Sequence, residues 1–137
     1  MTLEEKILQV IGGTHAAAVA TIDQGKPAVR FVMLTGSPDM TLVGATITNS
    51  RKVAQLRKNP DASIAIWSCR EYTDPYVTIQ AKGEVHDDLP TKKKYWNPGM
   101  EPYFGSPENP DFVFLVFRAG EVEYHDSVMA LPEFWKR

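Results

Sequence analysis

The residues of this sequence best suited to chemistry are cations placed where a strand-like run gives way to a helix. Residues 40–46 read as a strand, and Ser50, Arg51 and Lys52 follow shortly after it. Ser50 suits the N-cap of a helix, whose first N–H groups lack intrahelical partners and whose dipole favours an anion. Arg51 can grip two phosphate oxygens, and Lys52 adds a point charge. Because cations are unfavourable at a helix N-terminus unless something negative binds there, the pattern favours a phosphate site over an ordinary N-cap followed by surface cations.

A further cation, Arg30, lies in a strand-like run that is apolar on both faces. Alternation places Arg30 on the same face as Val32 and Leu34, whereas Phe31 and Met33 occupy the other face. A guanidinium in such a strand needs an anion or a carboxylate, because leaving it unpaired in apolar surroundings is unfavourable. The strand pattern leaves two alternatives to a ligand open. One is an ion pair with one of the 17 acidic residues, and the other is a stem that extends to the rim of the sheet.

The elements that must position these cations are predicted to be mainly β-strands. Thr2 and Glu5 form a capping box that opens an N-terminal helix, and Gly12-Gly13 ends it. Short helices are also predicted after Ser50 and around residues 92–96. Six strand-like runs are separated by turn formers or helices, and they cover residues 16–22, 28–35, 40–46, 62–67, 76–86 and 112–117, the last continued by 121–124. Such strands favour a closed, six-stranded antiparallel barrel, since closure removes unpaired edges.

Length and composition indicate one ordinary domain spanning residues 1–137. The net charge of −2 makes nucleic acid and acidic membrane surfaces poor partners. Cys69 is the single cysteine, Glu4 and Glu5 stand where a signal peptide needs an apolar run, and no stretch reaches the roughly 18 to 20 apolar residues of a membrane span. We therefore expect a cytoplasmic protein. His15 and His86 have no further ligands at metal-binding spacing, so no metal site is expected.

Two other segments carry expectations about surfaces. Residues 112–117 are apolar on both faces, although a barrel wall needs only one apolar face. A second copy of the chain is the simplest cover, because most soluble oligomers are symmetric homodimers, and the chain's own helices are the alternative. Lys92, Lys93 and Lys94 form a basic run that we expect to be a solvated helix face.

Taken in order, these features resemble the FMN-binding split barrels of the pyridoxamine 5'-phosphate oxidase-like family, particularly its short members of the general stress protein type. The likeness covers nearly the whole chain. It is carried by residues 27–34 with Arg30, by Ser50-Arg51-Lys52 followed by Asn59-Pro60, and by residues 77–85.

The resemblance implies a homodimer with FMN at its interface, acting as an oxidoreductase on a small organic acceptor. It implies that the phosphate of FMN is held by Arg30, Ser50, Arg51 and Lys52. It further implies that the backbone of Phe31, Val32 and Met33 lies beside the isoalloxazine ring, and that Thr46 and Thr78 contact the flavin, with Gln80 as a second candidate on the strand of Thr78.

The sequence also departs from the family pattern. Thr35 replaces a lysine that the vitamin B6 oxidase has five residues after the arginine, and the chain ends at Arg137 without the longer C-terminal segment of that enzyme. Oxidation of pyridoxamine 5'-phosphate is therefore not expected. The segment containing Trp96, Tyr103 and Phe104 resembles an aromatic stretch that lies near the flavin in short members, with simple packing as the alternative. His125 stands where those members often carry tryptophan, and it is assigned no role.

No residue is identified as a catalytic acid or base, which leaves further functions open. A non-enzymatic flavin-binding protein, or a redox protein linked to stress, needs no such residue. The barrel could also bind haem or a deazaflavin, as some relatives do. The substrate and the electron donor do not follow from the sequence.

Overall fold

Seven strands, four short α-helices and one turn of 3₁₀ helix make up the computed structural model, which describes all 137 residues. The elements in chain order are α1 (Leu3–Ile11), β1 (Gly13–Asp23), β2 (Lys26–Gly36), β3 (Thr41–Ile47), α2 (Arg51–Lys58), β4 (Asp61–Trp67), β5 (Tyr76–His86), α3 (Leu89–Tyr95), the 3₁₀ turn (Pro98–Met100), α4 (Glu101–Phe104), β6 (Phe112–His125) and β7 (Glu133–Lys136). No helix combines the length and apolar character that crossing a bilayer requires.

The first six strands close into an antiparallel barrel. Their order is β3-β2-β1-β4-β5-β6, and β6 pairs back with β3 through residues 112–118. The predicted six-stranded barrel is therefore confirmed. The short strand β7 extends the sheet along the second half of β6, and the sequence patterns did not predict it.

The barrel is split between β2 and β3. β2 pairs with β1 along its whole length, but it pairs with β3 only at Thr35 and Gly36. Next to this short paired segment the two strands remain close, since a Cβ atom at Gly44 would lie 2.4 Å from the carbonyl oxygen of Met33. Over residues 26–34, the edge of β2 that faces β3 has no strand partner.

Aliphatic side chains from all six barrel strands fill the interior, as the alternation of the strands predicts. α1 adds Ile7 and Ile11 at the barrel end that contains Gly36. α2 adds Val53 and Leu56, and it packs against β1 and β5. α2 thus brings the predicted cation cluster to the barrel wall.

The outer face of β6 is covered by the chain itself. Phe112 and Phe114 are buried against the segment from α3 to α4. The ring centroid of Phe104 lies 4.6 Å from that of Phe112, and the centroid of Trp96 lies 5.9 Å from it. The expectation that a second copy covers this face is wrong, because these aromatic residues fill the space.

Lys92 also departs from expectation. It is only 4% exposed, its Nζ donates to the carbonyl oxygen of Asn109 at 2.9 Å, and it lies 4.4 Å from the ring centroid of Phe112. The prediction of a fully solvated basic face is therefore wrong for Lys92, whereas Lys93 and Lys94 are exposed.

Candidate functional site

Arg30 points inward beside the split and is held by neutral groups. Its Nη1 donates to the carbonyl oxygen of Val19 at 3.1 Å and to Oγ1 of Thr21 at 2.8 Å, and its Nη2 donates to Oε1 of Gln55 at 2.7 Å. No carboxylate forms a salt bridge with it. The ion-pair alternative for Arg30 is thus not realised, and its positive charge stays uncompensated by direct contacts.

Gln55 fixes the geometry around this guanidinium. Its side chain is 7% exposed, and its Oε1 accepts a second hydrogen bond from Oγ1 of Thr21 at 2.6 Å. Sequence reasoning missed both partners. The available signal was Thr21, a polar residue on the inward strand face of Ala17 and Val19.

Ser50 occupies the N-cap position of α2, as predicted, but it does not cap the helix. Its side chain makes no hydrogen bond to the first turn, and its Oγ is buried with no hydrogen-bond partner. A buried hydroxyl without a partner is unfavourable, so such an atom in a native structure calls for a ligand or a water. The first turn of α2 contains no acidic residue that would occupy the place of an anion.

The two cations after Ser50 are weakly paired. Nη2 of Arg51 lies 3.4 Å from Oδ2 of Asp23, but the Arg51 side chain is 86% exposed, and such surface pairs contribute little. Lys52 is half-buried and forms no salt bridge.

The charges of the cluster repel one another. Burial lowers the pKa of Arg30, and the neighbouring charge of Arg51 lowers it further, while Asp23 offsets part of the effect. Burial also lowers the pKa of Lys52, with the charge of Arg30 as the second cause. An arrangement that holds three cations in mutual repulsion favours binding of an anion.

The other residues of β2 and β3 lie along the split. Thr46 is buried near the end of β3 on the inward face, just before the turn that leads to Ser50. Val32 faces the core, whereas Phe31 and Met33 point outward and are 77% and 58% exposed. The backbone of these three β2 residues lies along the edge that β3 leaves unpaired.

Thr78 is not near the cation cluster of its own chain. It lies on the outer face of β5, three strands from Phe31 along the row Phe31, Ala18, Ala65, Thr78. At the spacing of neighbouring strands this separation is about 14 Å. The hydroxyl of Thr78 donates to Oε2 of Glu123 at 3.3 Å.

The remaining aromatic candidates have different surroundings. Trp96 and Phe104 pack on Phe112, as described above, whereas Tyr103 is 81% exposed. His125 stacks on Tyr76 with ring centroids 4.4 Å apart, and its Nε2 lies 3.1 Å from Oε1 of Glu123. No cluster of His, Cys, Asp or Glu side chains is arranged to hold a metal ion.

Comparison with known proteins identifies relatives of this architecture. The sequence profile of the family described as "Pyridoxamine 5'-phosphate oxidase" matches residues 3–126. General stress protein 26 of Bacillus subtilis (strain 168) is 25% identical over 131 residues, which are 95% of this chain and 93% of that protein. The crystal structure of the general stress protein 26 from Bacillus anthracis str. Sterne superposes with a TM-score of 0.82 at 26% identity over 100% of both chains.

More distant structures share the fold but carry other names. A heme binding protein from Mycobacterium smegmatis is 19% identical with a TM-score of 0.79, covering 99% of this chain and 58% of that one. A protein named F420 reductase is 16% identical with a TM-score of 0.66, covering 88% of this chain and 96% of that one. The same barrel therefore occurs in proteins named for different cofactors.

Proposed function

Since this chain belongs to the pyridoxamine 5'-phosphate oxidase family, we propose that it is an FMN-binding flavoprotein whose cation cluster holds the phosphate of the cofactor. The observation that carries the proposal is the buried, unpartnered Oγ of Ser50 at the start of α2, beside Arg30, Arg51 and Lys52. A phosphate offers several acceptor oxygens and a double negative charge. It therefore satisfies the hydroxyl and relieves the repulsion between the cations at once.

Each residue of the cluster has a distinct task in this proposal. Arg30 has more N–H groups than its three hydrogen bonds use, so it can donate to the phosphate while Thr21 and Gln55 keep it in place. Arg51 is exposed and moves to grip the anion, since its present contact with Asp23 is weak. Lys52 adds charge from the first turn of α2.

The flavin ring would lie along the open edge of β2. Residues 31–33 have backbone groups without a strand partner on that edge, and a ring with polar atoms along one side can bond to them. When bound, the isoalloxazine supplies the redox chemistry. The protein positions it and tunes its surroundings.

We also propose that the protein acts as a homodimer through the outer face of β2, β1, β4 and β5. Val29, Phe31 and Met33 are exposed large apolar residues on this face, with Val29 at 70% exposure. The adjoining outward positions of β1 are small, at Ala16, Ala18 and Ala20, so the face is open to close approach by a second copy. In a symmetric pair, Thr78 of one chain could approach the flavin of the other.

Oxidoreductase activity on a small organic acceptor is the proposed role of the bound flavin. The cavity that Met33 lines contains no lysine, arginine or carboxylate, which suits a reaction that needs no charged acid or base from that wall. Stopped-flow reduction with NADH and NADPH separates this role from simple flavin binding. Reduction no faster than that of free FMN with either donor would favour a flavin-binding protein.

Haem is a weaker candidate than FMN because the cation cluster suits a phosphate, whereas none of the three histidines lies on β2, β3 or α2. Nε2 of His15 lies 2.6 Å from the carbonyl oxygen of Gly12, and His86 and His125 contact glutamates. The absorbance spectrum of the freshly purified protein distinguishes flavin, haem and deazaflavin. A haem or deazaflavin spectrum would refute the FMN assignment.

The direct test of the site is the double variant Arg51→Ala plus Lys52→Ala. We expect the Kd for FMN to rise about ten- to a thousandfold, because charge-assisted hydrogen bonds contribute about 1.5–3 kcal/mol each before solvent screening. Arg57→Ala plus Lys58→Ala is the matched control, since it removes two exposed cations from the last turn of the same helix. An unchanged FMN titration in the folded test variant would exclude Arg51 and Lys52 from the site.

A further inference from the structure

A cavity lies between the outer face of β3 and the segment from α3 to α4. It has a volume of about 540 Å³ and reaches β2 at its edge. Its size is in the range of small-molecule sites. Its main apolar lining residues are Met33, Ala45, Tyr95, Met100, Phe104 and Phe114.

The lining of this cavity contains no formally charged side chain. Its polar groups are hydroxyls and an amide, including those of Thr35, Asn97 and Tyr103. The buried cation of α3, Lys92, is occupied by the carbonyl oxygen of Asn109 and the ring of Phe112. An ionised ligand would lose water here without meeting an opposite charge, so the cavity selects against anions and cations alike.

Tyr103 lines the cavity with an aromatic ring that is not packed in the core of the chain. Its side chain is 81% exposed, whereas the ring of the adjacent Phe104 is stacked on Phe112. The short helix that carries both residues ends at Gly105, whose φ of 79° suits glycine. Tyr103 lines the cavity while most of its side chain stays exposed, so its ring is available for an aromatic ligand to stack on.

The cavity lies along the same two strands, β2 and β3, as part of the cation cluster and Thr46. Met33 follows Arg30 by three residues, a distance of about 10 Å along an extended strand. Ala45 immediately precedes Thr46 on the opposite side of the split. A molecule in the cavity would consequently lie next to the flavin ring if the ring lies on the edge of residues 31–33.

We propose that this cavity binds an uncharged aromatic molecule carrying one or two hydrogen-bonding groups, at a site separate from that of the cofactor. The role of this molecule as electron acceptor rests on the proposed function, whereas its binding does not. The proposal narrows the acceptor to neutral ring compounds and excludes phosphorylated or carboxylated ones.

Calorimetric titration with three probes of the same ring tests the charge preference. The probes are 1-naphthamide, 1-naphthoate and the 1-naphthylmethylammonium ion, each measured near neutral pH with and without saturating FMN. We expect the amide to bind about tenfold or more tightly than either ion, with or without FMN, because only the ions must be desolvated without a partner. Equal affinities, or tighter binding of an ion, would overturn the proposal.

Two variants and one control variant test where the amide binds. Tyr103→Ala should weaken binding of the amide several-fold. Tyr72→Ala, which removes a similarly exposed tyrosine outside the cavity, should leave that binding unchanged. Ala45→Asp should weaken binding of the amide and raise the affinity for the ammonium ion relative to that for the amide. Equal effects of the two tyrosine variants would contradict the site.

The titrations with and without FMN distinguish a failure of this proposal from a failure of the proposed function. If FMN displaces the amide competitively, the cavity belongs to the flavin ring and the separate site is refuted. If the chain binds the amide with the expected preference but does not bind FMN, the cavity stands and the proposed function fails.

Discussion

Replacing Gln55 by glutamate tests whether FMN binding depends on the uncharged surroundings of Arg30. Oε1 of Gln55 accepts from Nη2 of Arg30 at 2.7 Å and from Thr21 at 2.6 Å. A glutamate has nearly the same shape and keeps both acceptor contacts, so the Gln55→Glu variant should fold. It adds one negative charge directly against the guanidinium that we assign to the phosphate.

The expected loss of FMN affinity follows from Coulomb's law. For a carboxylate about 6 Å from the phosphate and an effective dielectric constant of about 40, each pair of unit charges interacts by about 1.4 kcal/mol. A phosphate dianion is then repelled by about 3 kcal/mol, which corresponds to a roughly hundredfold rise in Kd. Because the site is partly open to solvent, added salt should reduce the effect.

Fluorescence or calorimetric titration with FMN measures this change. Gln9→Glu is the control, since it makes the same change of net charge on the exposed face of α1, remote from the cluster. An unchanged Kd in folded Gln55→Glu would refute the assignment of Arg30 to the phosphate. An equal loss in Gln9→Glu would show a general charge effect instead of a local one.

Two further substitutions test the rest of the proposal. Ser50→Ala should change the free energy of unfolding by less than about 0.5 kcal/mol, because Ser50 makes no capping bond, yet raise the Kd for FMN about three- to tenfold through a lost hydrogen bond. Chemical denaturation together with titration checks this, and a stability loss of about 1 kcal/mol with unchanged FMN affinity would identify an ordinary N-cap. Phe31→Asp should convert a dimer into a monomer in light scattering, because symmetry places two carboxylates in one interface. A wild-type monomer, or a dimer that persists in this variant, would contradict the proposed interface.

Much of the barrel could be predicted from local patterns. The capping box at the N-terminus is confirmed, as Oγ1 of Thr2 accepts from the backbone N–H of Glu5 at 3.1 Å. Strand-like runs bounded by turn formers or helices located all six barrel strands, and each of these strands has one face in a common core. β7 was not predicted because it is only four residues long and has no regular alternation of exposed and buried residues.

What covers a face could not be predicted from the pattern of that face. Residues 112–117 showed two apolar surfaces, but whether a second copy or the chain's own α3–α4 segment covers one of them depends on how distant residues pack. The burial of Lys92 could not be predicted for the same reason, since it depends on contacts with Phe112 and Asn109.

The chemistry of the candidate site was visible in residue types, but its organisation was not. The run from Ser50 to Lys52 and the arginine on β2 could be singled out because cations are unusual at those places. That Arg30 is held only by neutral partners depends on α2 docking against β1, which brings Gln55 to Thr21. The missing capping bond of Ser50 likewise appears only in three dimensions.

The most direct test of the phosphate site compares FMN with riboflavin, which has the same ring but no phosphate. If the cluster of Arg30, Ser50, Arg51 and Lys52 binds the phosphate, FMN should bind at least about a hundredfold more tightly, since several charge-assisted contacts are lost together in riboflavin. The difference should shrink as salt is added. Equal Kd values for the two compounds at low salt would contradict the phosphate site.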